Sequence, residues 1–418
     1  MQPAEPAERD RVEQARAQLP ALQSSIYLNT GTSGPIPSVA DEAMRQLEDY
    51  ELRYGRATME AHEELVARVD ECRAAVAAVL HASPESIALT RSTTDGINAG
   101  IWSLPWRPGD EVITTSLEHP GLLAPLAALG ERGIRVRVAD VGDGGDDSRT
   151  IGAIERLVGP RTVLVAVSHV AWTTGAVLPV GRIAAVARAA GARALVDGAQ
   201  SGGAIDVDPA ALDVDFYAVP AQKWLLGPEG MGALWASGPA IESAVQSYAG
   251  WWTTEEATAH ADPLDPGGLA LRPWSDARRF DTTGLHGPSV VAFGRSVGWL
   301  AMHVGLRWLH GRGARLARRV ADELAAIPGI SLLTPRERMA TLVSFRIRGW
   351  RPDDARDAIR RHSFAIVRTV PGLDALRASI GWFNSEAELD RFLETVALVA
   401  SQTPESLPPR GQLTILAE

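Results

Sequence analysis

Ala194-Leu195-Val196-Asp197-Gly198-Ala199-Gln200-Ser201 is a short apolar run that delivers a carboxylate to its end and an amide three residues later. An apolar run this brief, closed by a turn, reads as a buried strand. Similar runs lie at 86–90, 111–115, 135–139, 162–168, 216–219 and 232–235, and they alternate with helical stretches. One of these, 180–190, carries Ile183, Val186 and Ala187 at helical spacing and makes a βαβ crossover. The grammar is α/β, with a large, mainly parallel sheet of seven strands.

Flanking segments extend the reading. Residues 1–20 form an N-terminal arm, and 38–80 read as two helices broken around Gly55. A large α/β domain spans 21–288, and its 251–273 stretch, rich in Gly, Pro, Asp and Thr, reads as a long loop of the kind that often covers a site. Residues 289–400 make a smaller α+β domain, with strands at 342–347 and 376–380 and a final helix capped by Ser385 with Glu388 three residues on. Residues 401–418 are a tail.

Composition bounds the function. The 418 residues are 45% hydrophobic and carry a formal charge of −10, which gives no bulk attraction to nucleic acid or to an anionic membrane. No apolar run approaches the ~18 residues of a membrane span, and the N-terminus lacks a signal pattern, so the expected location is cytoplasmic. The single cysteine, Cys72, falls on a helix face and reads as a buried structural thiol. Among 41 basic residues Lys223 is the one lysine, all the others being arginine. Arginine can replace lysine as a solvated charge but cannot serve as an amine nucleophile, so the surviving lysine marks chemistry.

Four features follow strand ends, where open α/β sheets bind ligands. Thr90-Arg91-Ser92-Thr93-Thr94-Asp95 places hydroxyls at a helix start, a phosphate cradle. Ser116-Leu117-Glu118-His119-Pro120 sets an imidazole just past a strand, where it could stack on an aromatic ligand. Asp197 is a strand-end carboxylate that needs a positive partner, which a protonated ring nitrogen supplies. Val219-Pro220-Ala221-Gln222-Lys223-Trp224-Leu225-Leu226-Gly227 surrounds Lys223 with apolar groups that lower its pKa. No G-x-G-x-x-G opens a βαβ unit, which argues against a dinucleotide enzyme.

With Asp197-Gly198-Ala199-Gln200, Lys223, Arg279-Phe280-Asp281, and Arg377-Ala378-Ser379 before Phe383-Asn384-Ser385-Glu386, the chain resembles the class V aminotransferase family of pyridoxal-phosphate (PLP) enzymes. It is most similar to the cysteine desulfurase and selenocysteine lyase branch, from Tyr27 to about Val399. The resemblance implies the PLP-dependent transferase fold type I and a homodimer with active sites near the interface. It implies that Lys223 forms a Schiff base with the cofactor and then acts as general base. Asp197 would hold the ring nitrogen, Gln200 the phenolic oxygen, and His119 the ring face. Thr93 and Thr94 would cradle the phosphate, joined across the dimer by Thr282 or Thr283, and Arg377 would clamp a substrate carboxylate.

Departures from the branch are specific. Gln222, beside the lysine among the cofactor contacts, stands where histidine is common, and Pro220 where a serine reaches phosphate. Trp172 replaces an asparagine near the substrate, where Asn29 also falls. The stretch Val367-Arg368-Thr369-Val370-Pro371-Gly372-Leu373-Asp374 lacks the loop cysteine that desulfurases use. The leading expectation is therefore class V aminotransferase chemistry on an α-amino acid. The alternative is a C–S or C–Se β-elimination lyase or desulfurase-like enzyme, and a second alternative is a catalytically silent fold relative. No metal site is expected.

Overall fold

The computed structural model describes residues 6–246, 248–255, 272–282 and 284–407. Among them the strands are β1 (Ile26–Tyr27), β2 (Ile87–Thr90), β3 (Glu111–Thr115), β4 (Arg135–Ala139), β5 (Thr162–Ser168), β6 (Arg193–Asp197), β7 (Phe216–Pro220), β8 (Gly232–Ala236), β9 (Ile330–Leu332), β10 (Leu342–Ile347), β11 (Ala365–Ile366), β12 (Arg368–Val370) and β13 (Ala375–Ser379). Seven of them make the large sheet, in the order β2-β8-β7-β6-β5-β3-β4. Only β8 runs against its neighbours. The other strands share one direction, so Thr90, Thr115, Ser168, Asp197 and Pro220 all end at one edge of the sheet.

Strand alternation builds two cores. Leu89, Ile113, Val165, Val196, Tyr217 and Val219 point to one face, where helices Met59–Val79, Val180–Ala189 and Gly287–Trp299 pack. Ala88, Val112, Leu164, Leu195, Phe216 and Ala218 point to the other, under helices Thr93–Trp102 and Pro120–Ala128. A sheet covered on both faces needs apolar residues at consecutive positions, which is why its strands read as unbroken runs rather than alternating ones. Each fully buried Val, Leu or Phe contributes about 1.5–3 kcal/mol.

The smaller sheet is antiparallel, in the order β12-β13-β10-β9. It rests on helices Leu306–Ala326, Pro352–Ser363 and Glu386–Ala400. The last helix has the capping box read from the sequence: the Glu388 N–H donates to Ser385 Oγ, and the Ser385 N–H donates to Glu388 Oε2 at 2.9 Å. Two features cross the division drawn from the sequence. Ile26 and Leu28 join the smaller core because β1 pairs with β11. Helix Gly287–Trp299 packs on Ser38–Tyr54 and Met59–Val79, where Gly294 lets it approach Cys72 closely. The hydrophobic patterns identify both as buried elements but not their partners.

The N-terminal helix Pro6–Ala17 is strapped to this second unit. Arg16 pairs with Glu388, and Glu8 pairs with the buried Arg312, which also bonds Glu386 and the Trp382 and Asn384 carbonyls. Among the described residues no helix is long and apolar enough to cross a membrane. The 251–273 loop is described only at its ends, where Trp251–Thr253 make a helical turn and Thr254 bridges to Pro273. Residues 256–271 and Thr283 lie outside the described residues.

Candidate active site

Lys223 sits in a loop that its own backbone closes. The Ala221 N–H donates to Met231 O at 3.0 Å and the Gly227 N–H to Ala221 O at 2.8 Å. Leu226 takes a left-handed φ of 54° inside it, an uncommon conformation for a branched residue and one that surrounding contacts must enforce. Gly34 runs so close that a Cβ there would meet Lys223 O at 2.3 Å. The residue is half-buried, and its amine makes no hydrogen bond or ion pair among the described residues. Burial pushes its pKa down to about 8, against the opposing pull of Asp197.

Asp197, 4% exposed, accepts one hydrogen bond, from the Ala199 N–H at 2.8 Å. Burial raises its pKa, while Lys223 and that amide lower it. Gln200 is more heavily engaged than expected: its Nε2 donates to Gly31 O at 2.8 Å and its Oε1 accepts from Trp224 Nε1 at 3.1 Å. One amide hydrogen remains for another partner.

His119 is the N-cap of helix Pro120–Ala128, and its Nδ1 accepts from the Gly121 N–H at 3.0 Å. Burial first, then Lys223, Arg368 and Arg377, holds its pKa down to about 4, so the ring is neutral. Trp172 stands edge-on to it, with centroids 5.0 Å apart and planes at 88°, and its Nε1 donates to Glu118 O. These two rings form one wall. Gly121 also brings Thr94 to His119, since a Cβ at that glycine would meet Thr94 Oγ1 at 2.8 Å and His119 Nδ1 at 3.1 Å.

The smaller sheet supplies the opposite side. Arg377 on β13 is fully buried, and its Nη1 donates to Trp172 O at 2.7 Å. Its Nε and Nη2 have no partner, and neither does the adjacent Ser379 Oγ. With no carboxylate to compensate it, burial and the neighbouring Arg368 push the guanidinium down to about 9. Arg368 on β12 is the direct cross-strand partner of Arg377. It donates to Thr32 Oγ1 at 3.1 Å, and Thr32 in turn donates to Asn29 Oδ1 at 2.8 Å. Asn29 itself bridges to Ser379.

At the start of helix Thr93–Trp102, Ser92 caps the Asp95 N–H at 3.1 Å. The remaining first-turn amides have no intrahelical acceptor. Thr282 lies beside β2 through its N–H to Leu89 O at 3.0 Å, and its buried hydroxyl has no partner. Gln222 Oε1 is likewise buried without one. Asp281, from the Arg279-Phe280-Asp281 motif, is committed elsewhere: it pairs bidentately with the buried Arg73 and accepts from the Leu89 N–H.

Three participants escaped the sequence reading. Glu118 precedes His119, Ser379 lies two residues after Arg377, and Arg368 falls in the stretch without a cysteine, but only the fold shows that they share the site. The site forms where one edge of the large sheet meets the β12–β13 hairpin, so chain separation hides it.

Residues 26–392 match the class V aminotransferase family. The chain is 27% identical to a probable cysteine desulfurase of Methanothermobacter thermautotrophicus, over 93% of this chain and 98% of that one. It is 32% identical to a probable cysteine desulfurase of Pseudomonas aeruginosa, over 77% and 80%. Among solved structures, the cystine C–S lyase C-DES in complex with its reaction product cysteine persulfide matches at TM-score 0.83 and 28% identity, over 91% of this chain and 99% of that one. A C-DES mutant with glycine covalently linked to its PLP cofactor matches at the same TM-score and 27% identity, over 91% and 98%. With the match running from β1 into the final helix, and Lys223 and Asp197 at one edge of the large sheet across from Arg377 on β13, this chain is a member of the class V aminotransferase family.

Proposed function

We propose that the chain is a PLP-dependent C–S lyase that eliminates sulfur from an α-amino acid. The family and its desulfurase and cystine-lyase relatives support C–S cleavage, the alternative drawn from the sequence, over the transamination first favoured there.

The site fits the cofactor and an amino-acid substrate. Orphaned buried polar atoms on Gln222, Thr282, Arg377 and Ser379 await partners in this region. Asp197 lacks a cation in contact, and a protonated ring nitrogen is one. Thr93, Thr94 and Gln222 would hold the phosphate, joined across the dimer by the partner's Thr282, with His119 on the ring face and the free amide hydrogen of Gln200 on the phenolic oxygen. Bound PLP supplies an aldehyde and an electron-withdrawing ring.

The chain's own residues do the rest. Burial, which holds the Lys223 pKa down to about 8, favours the neutral amine that can take the Cα proton. Arg377 binds the α-carboxylate through its two free nitrogens, an ion pair that compensates a buried charge. Arg368 stands beside it for a second carboxylate, as on a disulfide-linked amino acid such as cystine. The Cα proton moves to Lys223 Nζ, the electron pair it leaves forms the Cα=Cβ bond, sulfur departs with the Cβ–S pair, and water splits the released enamine into pyruvate and ammonia.

The observation that carries this reading is the β12–β13 hairpin, a tight turn through Pro371-Gly372-Leu373-Asp374 with Gly372 and Asp374 both at positive φ. It is too short to carry a mobile thiol, and Cys72 is buried on helix Met59–Val79. Sulfur therefore leaves with the substrate fragment rather than on the protein. Feeding cystine to the pure holoprotein tests this: pyruvate and ammonia should appear with persulfide, whereas a keto acid that retains its sulfur contradicts it.

A homodimer belongs to the same proposal. Tyr50 and Met302 are exposed and line a groove of about 1030 Å³, and Leu52, Tyr54 and Met59 are exposed on or beside the same helices. A cleft of about 790 Å³ beside helix Thr93–Trp102 is lined by Arg91 and Thr282, and a second subunit there would adjoin the phosphate end.

A further inference from the structure

Glu118 is a buried carboxyl that the proposed chemistry leaves without a task. It is 5% exposed in the turn three residues past β3, and no cation pairs with it among the described residues. Its Oε1 accepts from Thr115 Oγ1 at 2.5 Å, and its Oε2 accepts from both the N–H and the hydroxyl of Ser168, at 2.8 Å and 2.5 Å. Thr115 ends β3 and Ser168 ends β5, so one carboxyl ties two adjacent strand ends together. Ser168 is also the cross-strand partner of Asp197.

The tie reaches the ligand wall from both directions. The Glu118 backbone carbonyl accepts from Trp172 Nε1, and the next residue is His119, whose ring meets Trp172 edge-on. Trp172 O in turn holds Arg377 Nη1. The single carboxyl at Glu118 thus fixes the turn from which one wall residue projects and to which the other is bonded. Turn residues past a strand end have few restraints of their own, and three hydrogen bonds on a fully enclosed side chain remove that freedom.

We propose that Glu118 is a positioning residue, whose hydrogen bonds to Thr115 and Ser168 set the His119–Trp172 wall against the Lys223–Asp197 pair. The inference rests on the PLP reading, because the wall matters only if a planar ring lies against it. Glu118 itself touches neither substrate nor cofactor in this arrangement. Its action is geometric, so an isosteric amide can take its place once one bond reverses: in Glu118→Gln the Oε1 accepts both Ser168 donors, and the Thr115 hydroxyl, now a donor to Glu118, rotates to accept from Nε2.

The test uses the holoprotein with three variants. Glu118→Ala should still bind one PLP per chain, change the visible circular-dichroism band of the bound cofactor, and lower kcat about 100-fold with a much smaller change in KM, the scale of a misplaced site. Glu118→Gln should restore the band and bring kcat back to within a few-fold. Ser168→Ala, which keeps the backbone donor, should move the band in the same direction by less, and it carries the test together with Glu118→Gln if the alanine variant does not fold. An unaltered band and kcat in Glu118→Ala, or a Glu118→Gln band and kcat unlike wild type, would overturn the proposal. Wild-type protein that binds no PLP would instead overturn the functional reading beneath it.

Discussion

Arg368 and Arg377 stand opposite each other on β12 and β13, and neither guanidinium meets a carboxylate among the described residues. Like charges at directly opposed strand positions destabilise a sheet, so an anionic ligand between them repays that cost. Arg377→Ala should raise KM for any carboxylated amino acid by at least about 30-fold, the scale of truncating a buried charge pair. Arg368→Ala should penalise cystine about tenfold more than a monocarboxylic thioether amino acid. Steady-state kinetics with both substrates checks this, and an equal loss on each would assign both arginines to one carboxylate.

The same unpaired charge predicts a stability gain. Arg377→Met removes a buried cation with nothing to compensate it while keeping much of its volume, and should stabilise the apoprotein by about 1–4 kcal/mol while abolishing turnover. Denaturant unfolding of the cofactor-free forms reads it directly.

For Lys223 the sign of the pH effect follows from its lowered pKa. The amine is protonated below about 8 and neutral above it, instead of above the usual lysine value. Capture of PLP by the apoprotein should therefore speed up nearly tenfold per pH unit below about 8 and level off above it. His119, already neutral above about 4, adds no inflection between pH 5 and 8. Stopped-flow absorbance against pH tests the pair, and a midpoint near 10 would show an ordinary solvated lysine.

Cys72 offers a contrasting prediction. Burial pushes the thiol up to about 12, and it packs against Gly294, so it is neither ionised nor reachable. Cys72→Ala should leave sulfur release within about twofold, because the assigned chemistry needs no protein thiol. A large loss of sulfur release in a variant that still binds PLP would contradict this.

Asp281 should prove structural. Its carboxylate faces Arg73, 4% exposed, and Asp281→Ala strands that charge at a cost of about 3–5 kcal/mol. The unfolding midpoint in urea should fall accordingly.

Much of this was legible in the chain. The seven runs of the large sheet and their strand-end residues follow from apolar length and turn chemistry, and Lys223 stands out because no other lysine dilutes it. Glu118 was hidden beside His119, since a strand-end glutamate reads as solvated until the fold buries it between Thr115 and Ser168. Arg368 was one arginine among 40 until the hairpin register set it against Arg377. Pairing of β1 with β11 joins residues far apart in sequence, and periodicity carries no information about partners.

Product analysis of the holoprotein with cystine is the most direct test of the C–S lyase assignment. Pyruvate, ammonia and cysteine persulfide should form in equal amounts, with the cofactor's visible spectrum restored after turnover, and Lys223→Arg should form none. Accumulation of the amine form of the cofactor with a sulfur-retaining keto acid, or release of alanine, would contradict the assignment.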